Sequence, residues 1–307
     1  MKRIPPEQRA RPFFATPLKQ PEPSPPAVTW EDAILLGLDC ETTGVDVATD
    51  RIWEWGAYWW GGPYSGTGES RLCDPERDLP KKLAEKLGVT PELWEEVRGA
   101  RLFAEQAADF EATMGAVRRL GGVVVGWNVA PFDVEILGSE LHRARASMLG
   151  WGLWTEEHRP TACLEGLPIV DGLALASWWR PELPSLSLGK VAESLGVVVP
   201  AGLHRTSVDA PLALALTRVL VEARMPHATL AAVVAASNDA VKVRRQARRT
   251  FGSYFAPAAD GALWCRWGQA GQKLEQLDGH FLAMLARRED MPEPGRRRLF
   301  DELRARG

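Results

Sequence analysis

Two carboxylates one residue apart, Asp39 and Glu41, follow the apolar run Ile34 to Leu38 and lead into Thr42, Thr43 and Gly44. The run is short and apolar throughout, which reads as a strand buried on both faces. Side chains alternate along a strand, so both acids project to the same side. Carboxylates held that close repel unless positive charge lies between them. A hard divalent cation, which takes oxygen ligands, is the natural candidate. Asp-x-Glu also arises by chance in surface loops, so the pair gains meaning only from partners further along the chain.

Two such partners exist. Asp133 stands in the opening turn of a helix that follows the apolar strand Val123 to Trp127, with Pro131 suited to the first turn. His204 lies in a loop five residues before Asp209, which opens the last strongly apolar helix. Each has a plainer reading. Asp209 suits the positive end of a helix dipole whatever its function, and a lone loop histidine is most often just solvated. His142, His158, His227 and His280 lack acidic neighbours of this kind and keep the plainer reading.

The elements that must position these residues follow from periodicity. After the first strand comes Arg51 to Trp60, a second strand with Trp53, Trp55, Ala57 and Trp59 on one face. A nucleic-acid base stacks well on an exposed Trp, but aromatics at alternate strand positions more often belong to the core. Residues 66–73 form a third strand beyond the Gly61-Gly62-Pro63 turn, and 80–100 a loop with short helical turns. Apolar residues at 103, 107, 110, 114 and 117 give a half-buried helix over 103–119. Leu167 to Asp171 is a fifth strand, leading to helices near 172–178 and from Ser185 to Gly196. Gly202 to Ser207 is a loop and Val208 to Ala223 the final helix of this part. Three adjacent strands followed by alternating helix and strand predict an α/β domain with a mixed sheet.

The order of these motifs carries a resemblance. Asp39-x-Glu41-Thr42-Thr43-Gly44, then Asn128-x-x-x-Phe132-Asp133, then His204-x-x-x-x-Asp209 resembles the 3′–5′ exonuclease family with four acidic residues and a histidine, the proofreading-subunit type. The stretches beginning at Asp171 and Leu183 are similar to that family as well, and the likeness covers about 32–222. It implies a ribonuclease H-like fold, with a mixed five-stranded sheet and helices on both faces. It implies that Asp39, Glu41, Asp133 and Asp209 hold two divalent cations, Mg²⁺ or Mn²⁺. It makes His204 the general base and sets Thr42, Asn128 and Phe132 against the terminal nucleotide. The partners implied are single-stranded 3′ ends and a DNA polymerase or another replication or repair protein. Two positions depart from the pattern: Trp127 stands where a histidine is frequent, and Leu87 begins Leu-Gly-Val-Thr where His-Gly-Ile-Thr is usual. One substrate contact is therefore expected to be missing, with every metal ligand and the base retained.

The chemistry suits the residue types. Hydrolysis of a phosphodiester needs an attacking hydroxide, a clamp on the phosphoryl oxygens and a stabilised leaving oxygen. Two cations about 3.5–4 Å apart serve both oxygens of an in-line displacement. An imidazole that titrates near neutrality accepts the proton from water. Whether the strand is DNA or RNA is open. The rival class is a nucleic-acid-binding or scaffold protein on the same fold with its chemistry lost, against which the complete set of four acids and a histidine argues.

The rest of the chain sets the frame. A hydrophobic fraction of 45% and a charged fraction of 25% are those of a soluble globular protein, and no apolar stretch approaches the roughly 20 residues needed to span a bilayer. Lys2 and Arg3 are followed by no apolar segment, which argues against a secretory leader. Four scattered cysteines without a C-x-x-C pair indicate a reduced, cytoplasmic protein. Residues 1–30 contain eight prolines and are expected to be a disordered tail, with 31–223 the nuclease domain, 224–250 a basic helical linker and 251–307 a small accessory module. The net charge of −3 is segregated: five basic against two acidic residues in 1–30, 18 against 30 in 31–241, and 14 against 8 in 242–307. A basic flank could guide a polyanion towards the acidic domain; simple drift of surface charge gives the same pattern.

Overall fold

The structure, a computed structural model, describes residues 28–148 and 163–306. Five strands form one sheet: β1 (Leu35–Thr42), β2 (Ile52–Trp60), β3 (Gly68–Leu72), β4 (Val123–Gly126) and β5 (Ile169–Asp171), in the order β3-β2-β1-β4-β5. The hairpin strands β1, β2 and β3 pair antiparallel, and β4 and β5 are parallel to β1. Between β3 and β4 lie α1 (Lys81–Leu87), α2 (Pro91–Arg98) and α3 (Phe103–Arg119). The helix α4 (Asp133–Met148) precedes β5, and α5 (Gly172–Trp179), α6 (Leu188–Ser194), α7 (Thr206–Arg224) and α8 (Leu230–Phe251) follow it. The helix expected over 103–119 has those bounds and buries Phe103, Ala107, Phe110, Met114 and Val117.

Both sheet faces are covered. Leu36, Leu38 and Cys40 of β1 pack with Trp55, Ala57 and Trp59 against α3 and α4. Trp53 is equally buried, so the tryptophan row belongs to the core and offers no stacking surface; only Trp60, on the other face at the strand's end, is exposed among the β2 tryptophans. On the opposite face Leu35, Val123, Val125 and Val170 meet Leu175 of α5, Leu214 and Val221 of α7, and Val233 and Ala240 of α8. The helix α7 lies very close to the hairpin. A Cβ on Gly37 would come within 2.7 Å of the Ala210 carbonyl oxygen, and one on Gly56 within 2.4 Å of Thr206 Oγ1. These two glycines let the start of α7 rest directly on β1 and β2.

Three expectations change. Of the tail expected over 1–30, residues 1–27 lie outside the described residues, but Thr29 bridges to Thr229 and Trp30 is buried in the core beside α8. The loop from Gly202 to Ser207 is shorter than its composition suggests, because α7 already begins at Thr206, whose amide donates to Glu54. The stretch 224–250 is basic but is more than a linker. Its helix α8 buries Val233, Ser237 and Ala240, and the Asp171 amide donates to Ser237 Oγ at 2.8 Å. The remaining residues form a hairpin, β6 (Phe255–Pro257) with β7 (Leu263–Cys265), then α9 (Gly279–Ala286) and α10 (Glu293–Arg306). Their own core includes Tyr254, Phe255, Leu282, Leu285 and Leu299. Among the described residues no helix is long and apolar enough to cross a membrane.

Candidate active site

The acids meet where β1 ends. Because Leu36, Leu38 and Cys40 face α3 and α4, the alternate residues Asp39 and Glu41 face the side covered by α7. Asp39 stands opposite Gly56 in the hairpin register, so no neighbouring β2 side chain crowds it. Asp133, the first residue of α4, is 3% exposed and accepts the Cys40 amide at 2.9 Å through Oδ1, tying α4 to β1. Asp209 sits in the first turn of α7, over the glycines that admit that helix. Its Oδ2 accepts the His204 amide at 3.1 Å, and His204 has a positive φ of 69°. Glu41, His204 and Asp209 each offer a ligand atom within 4.8 Å of the other two. Asp39 and Asp133 lie outside that tightest group and act on it through charge.

Electrostatics set these carboxylates apart. Burial, then the charges of Asp133, Glu41 and Asp209, pushes the Asp39 carboxyl well above the usual range. Burial, with Asp209 and Glu54 beside it, raises Glu41 to about 8, and burial raises Asp133 to about 8 against the hydrogen bond from Cys40. Asp209 rises to about 6 through burial, held back by the His204 amide. The His204 imidazole is lowered by burial and then by Lys86. Asp39 Oδ2 and Asp209 Oδ1 are buried with no hydrogen-bond partner. Among the described residues none of the four acids has an ion pair with Lys or Arg. Unpaired, crowded carboxylates with oxygen-only donors fit hard divalent cations.

The three residues expected at the terminal nucleotide are more dispersed. Thr42 donates its hydroxyl to the Gly44 carbonyl at 2.6 Å, and Asn128, also at positive φ, accepts Arg244 through Oδ1 at 2.8 Å. Phe132 is half-buried beside Asp133. The Trp127 indole donates to the Leu186 carbonyl at 2.9 Å, so this departure from the family pattern serves packing.

Sequence reasoning missed two groups. Glu54, fully buried and opposite Glu41 in the register, accepts Arg205 through both carboxylate oxygens at 2.9 and 3.0 Å. That pair pins the residue next to His204. Its signal in the text was a charged residue within an otherwise apolar strand. Asp171, at the end of β5, is also buried; it caps α5 through the Ala174 amide and accepts the Ala130 amide beside Asn128.

The sequence profile of the exonuclease family, RNase T type, matches residues 36–217, more than half of the chain. No curated protein matches it. Among solved structures, an exonuclease I whose structure suggests how processivity is achieved superposes with a TM-score of 0.52 at 18% identity, over 82% of this chain and 59% of that one. Escherichia coli exonuclease I in complex with a dT13 oligonucleotide gives 0.49 at 21% identity, over 63% and 42%. This chain thus spans about two-fifths to three-fifths of the length of those chains. The first superposition, with the β3-β2-β1-β4-β5 sheet, is that of the ribonuclease H-like exonuclease fold. Profile and fold lead to one conclusion: the chain belongs to the exonuclease family, of the type with four acidic residues and a histidine.

Proposed function

We propose that the protein is a 3′–5′ exonuclease that hydrolyses single-stranded DNA or RNA from the 3′ end and releases nucleoside 5′-monophosphates. The observation that carries this reading is the meeting of four acids at the end of β1, three buried and Asp39 half-buried, none paired with a basic side chain, with Glu41 and Asp209 beside His204. Asp39, Glu41, Asp133 and Asp209 would hold two divalent cations, Mg²⁺ or Mn²⁺. When bound, such ions supply positive charge at the phosphoryl and leaving oxygens and make bound water more acidic.

The protein's own residues do the rest. His204 stands on a short segment held by the hydrogen bond that its amide donates to Asp209 and by the Arg205–Glu54 pair next to it. The lowered imidazole is neutral at pH 7 and can take the proton from the attacking water. Its partial exposure lets it close on a bound strand. Asn128 is oriented by Arg244, which leaves its Nδ2 to donate to the terminal nucleotide. Phe132 offers a ring beside the acids, and the Thr42 hydroxyl, oriented by Gly44, offers a lone pair. Leu87, at the end of α1, can give no hydrogen bond where a histidine would. A cytoplasmic setting and a polymerase or repair partner belong to the same proposal.

The test is digestion of 5′-end-labelled single-stranded DNA and RNA with Mg²⁺, Mn²⁺ or EDTA. A ladder that shortens from the 3′ end, appears only with metal and yields 5′-mononucleotides is expected. Strand binding without cleavage under every metal condition would make the protein a binding scaffold on the same fold.

A further inference from the structure

Three arginines share one cavity where α8, the β6–β7 hairpin and the segment 184–186 meet. The cavity measures about 280 Å³, and its polar lining comprises Ser177, Ser185, Ser253, Arg244, Arg248 and Arg266. Arg244 and Arg248 stand one turn apart on α8 and so share a helix face. Arg266, the residue after β7, donates to the carbonyls of Leu183 at 2.9 Å and Ser177 at 3.2 Å, while its Nε is buried with no partner. The Arg248 side chain is exposed and, among the described residues, has neither a hydrogen bond nor an ion pair with the protein.

No carboxylate lines this cavity, and among the described residues none forms an ion pair with the three arginines. Asp171 and Glu182 act on Arg244 and Arg266 only at longer range. Burial lowers both of those guanidinium groups to about 10, with Arg248 adding to the effect on Arg244. They remain charged at neutral pH. A half-buried charge without its partner loses part of its solvation, so the cavity is a cationic site with no carboxylate in its lining. A guanidinium fork matches the oxygens of a phosphate, and hydroxyls of serine add neutral donors.

The location narrows the source of that phosphate. Arg244 reaches from the cavity to Asn128, five residues before Asp133, and the Trp127 indole holds Leu186, which also lines the cavity. Cavity and acid cluster are therefore linked through the single segment 127–133. We infer that the cavity is a phosphate subsite that takes a backbone phosphodiester of the strand, upstream of the end that enters the acid cluster. This rests on the nuclease reading, since it is the reacting strand that spans both places.

The test compares the full-length protein with Arg248→Ala, which removes an exposed side chain that holds nothing else in place. Binding of a labelled 20-residue oligothymidylate is followed by fluorescence anisotropy in EDTA over a range of salt. The variant is expected to bind about five- to tenfold more weakly, as for one ordinary solvent-exposed hydrogen bond, with a salt slope smaller by about one. With Mn²⁺, the ratio of kcat/KM for the 20-mer to that for a dinucleotide should fall by a similar factor. Unchanged affinity and salt slope would overturn the subsite. Inorganic phosphate or thymidine 5′-monophosphate that raises the Tm of the wild type but not of the variant, with strand affinity unchanged, would assign the cavity to a free phosphate and overturn the strand assignment. Wild type that binds the 20-mer but hydrolyses nothing would sink the nuclease reading, while the anisotropy result would still decide the subsite.

Discussion

Two regions hold buried charge of opposite sign, and neither balances it internally. At the end of β1, Asp39, Glu41, Asp133 and Asp209 crowd together without a basic partner. Beside α8, Arg244 and Arg266 sit in a cavity without an acidic one. Between them Glu54, as deeply buried as any residue in the chain, has Arg205 across both of its oxygens. The fold can pair a buried charge where that charge only stabilises the structure. Where it leaves like charges unpaired, the proposed counter-charge comes from outside: cations for the acids, phosphate for the arginines. Breaking each region in turn tests that contrast.

The largest effect belongs to the acids. Asp39→Asn should lower turnover by about 10³-fold or more, because several kcal/mol of transition-state stabilisation depend on the ligand set. Its melting temperature without metal should equal or exceed that of wild type, since one repelling charge is gone, and Mn²⁺ should raise it less. Wild-type turnover of an end-labelled oligonucleotide would remove Asp39 from the site. His204→Ala comes next, at about 10²–10⁴-fold slower with strand binding and metal-dependent stabilisation retained. A loss under threefold at saturating metal would reduce His204 to a loop residue.

The acid cluster also fixes a pH dependence. The folded pKa values of Glu41 and Asp133, about 8, and of Asp209, about 6, lie above those of the unfolded chain. Between roughly pH 4 and 8 the native state therefore binds more protons than the unfolded one, so these groups make stability fall as pH rises. Metal-free protein should melt at progressively lower temperature from pH 5 to pH 8, and saturating Mn²⁺ should remove most of that slope. A metal-free curve that is flat or rises over this range would contradict the unpaired state of the cluster.

The paired region should respond in the opposite sense. Arg205→Ala leaves Glu54 buried without its cation, for a loss of about 2 kcal/mol in urea unfolding, less than the ~3–5 of a fully buried pair because Arg205 is 36% exposed. A neutral result would mean that water reaches Glu54 once Arg205 is gone. The smallest effect is Ser237→Ala. It removes the acceptor for the buried Asp171 amide and should lower stability by about 1 kcal/mol. That loss, seen in the same transition as Arg205→Ala, would show α8 unfolding together with the sheet.

Local periodicity determined a good deal by itself. Apolar alternation and turn residues placed the five strands, and the spacing of Phe103 to Val117 placed α3 to the residue, because strand and helix repeats are set by backbone geometry alone. The alternation also put Asp39 and Glu41 on one side, and the order of motifs singled out Asp133, His204 and Asp209 before any of them could be seen to meet. Tertiary structure decided which charges are paired. Glu54 and Arg205 are 151 residues apart in the chain, and nothing local distinguishes Glu54, which finds a cation, from Glu41, which does not. It also decided that Trp30 and Ser237 join the core, and that Gly37 and Gly56 are the places where α7 touches the sheet. Arg244, Arg248 and Arg266 read in sequence as ordinary basic residues. Their convergence, and the partial burial of Arg244 and Arg266, depend on how α8 packs against the hairpin, and desolvation by that packing sets these two apart from common surface charges.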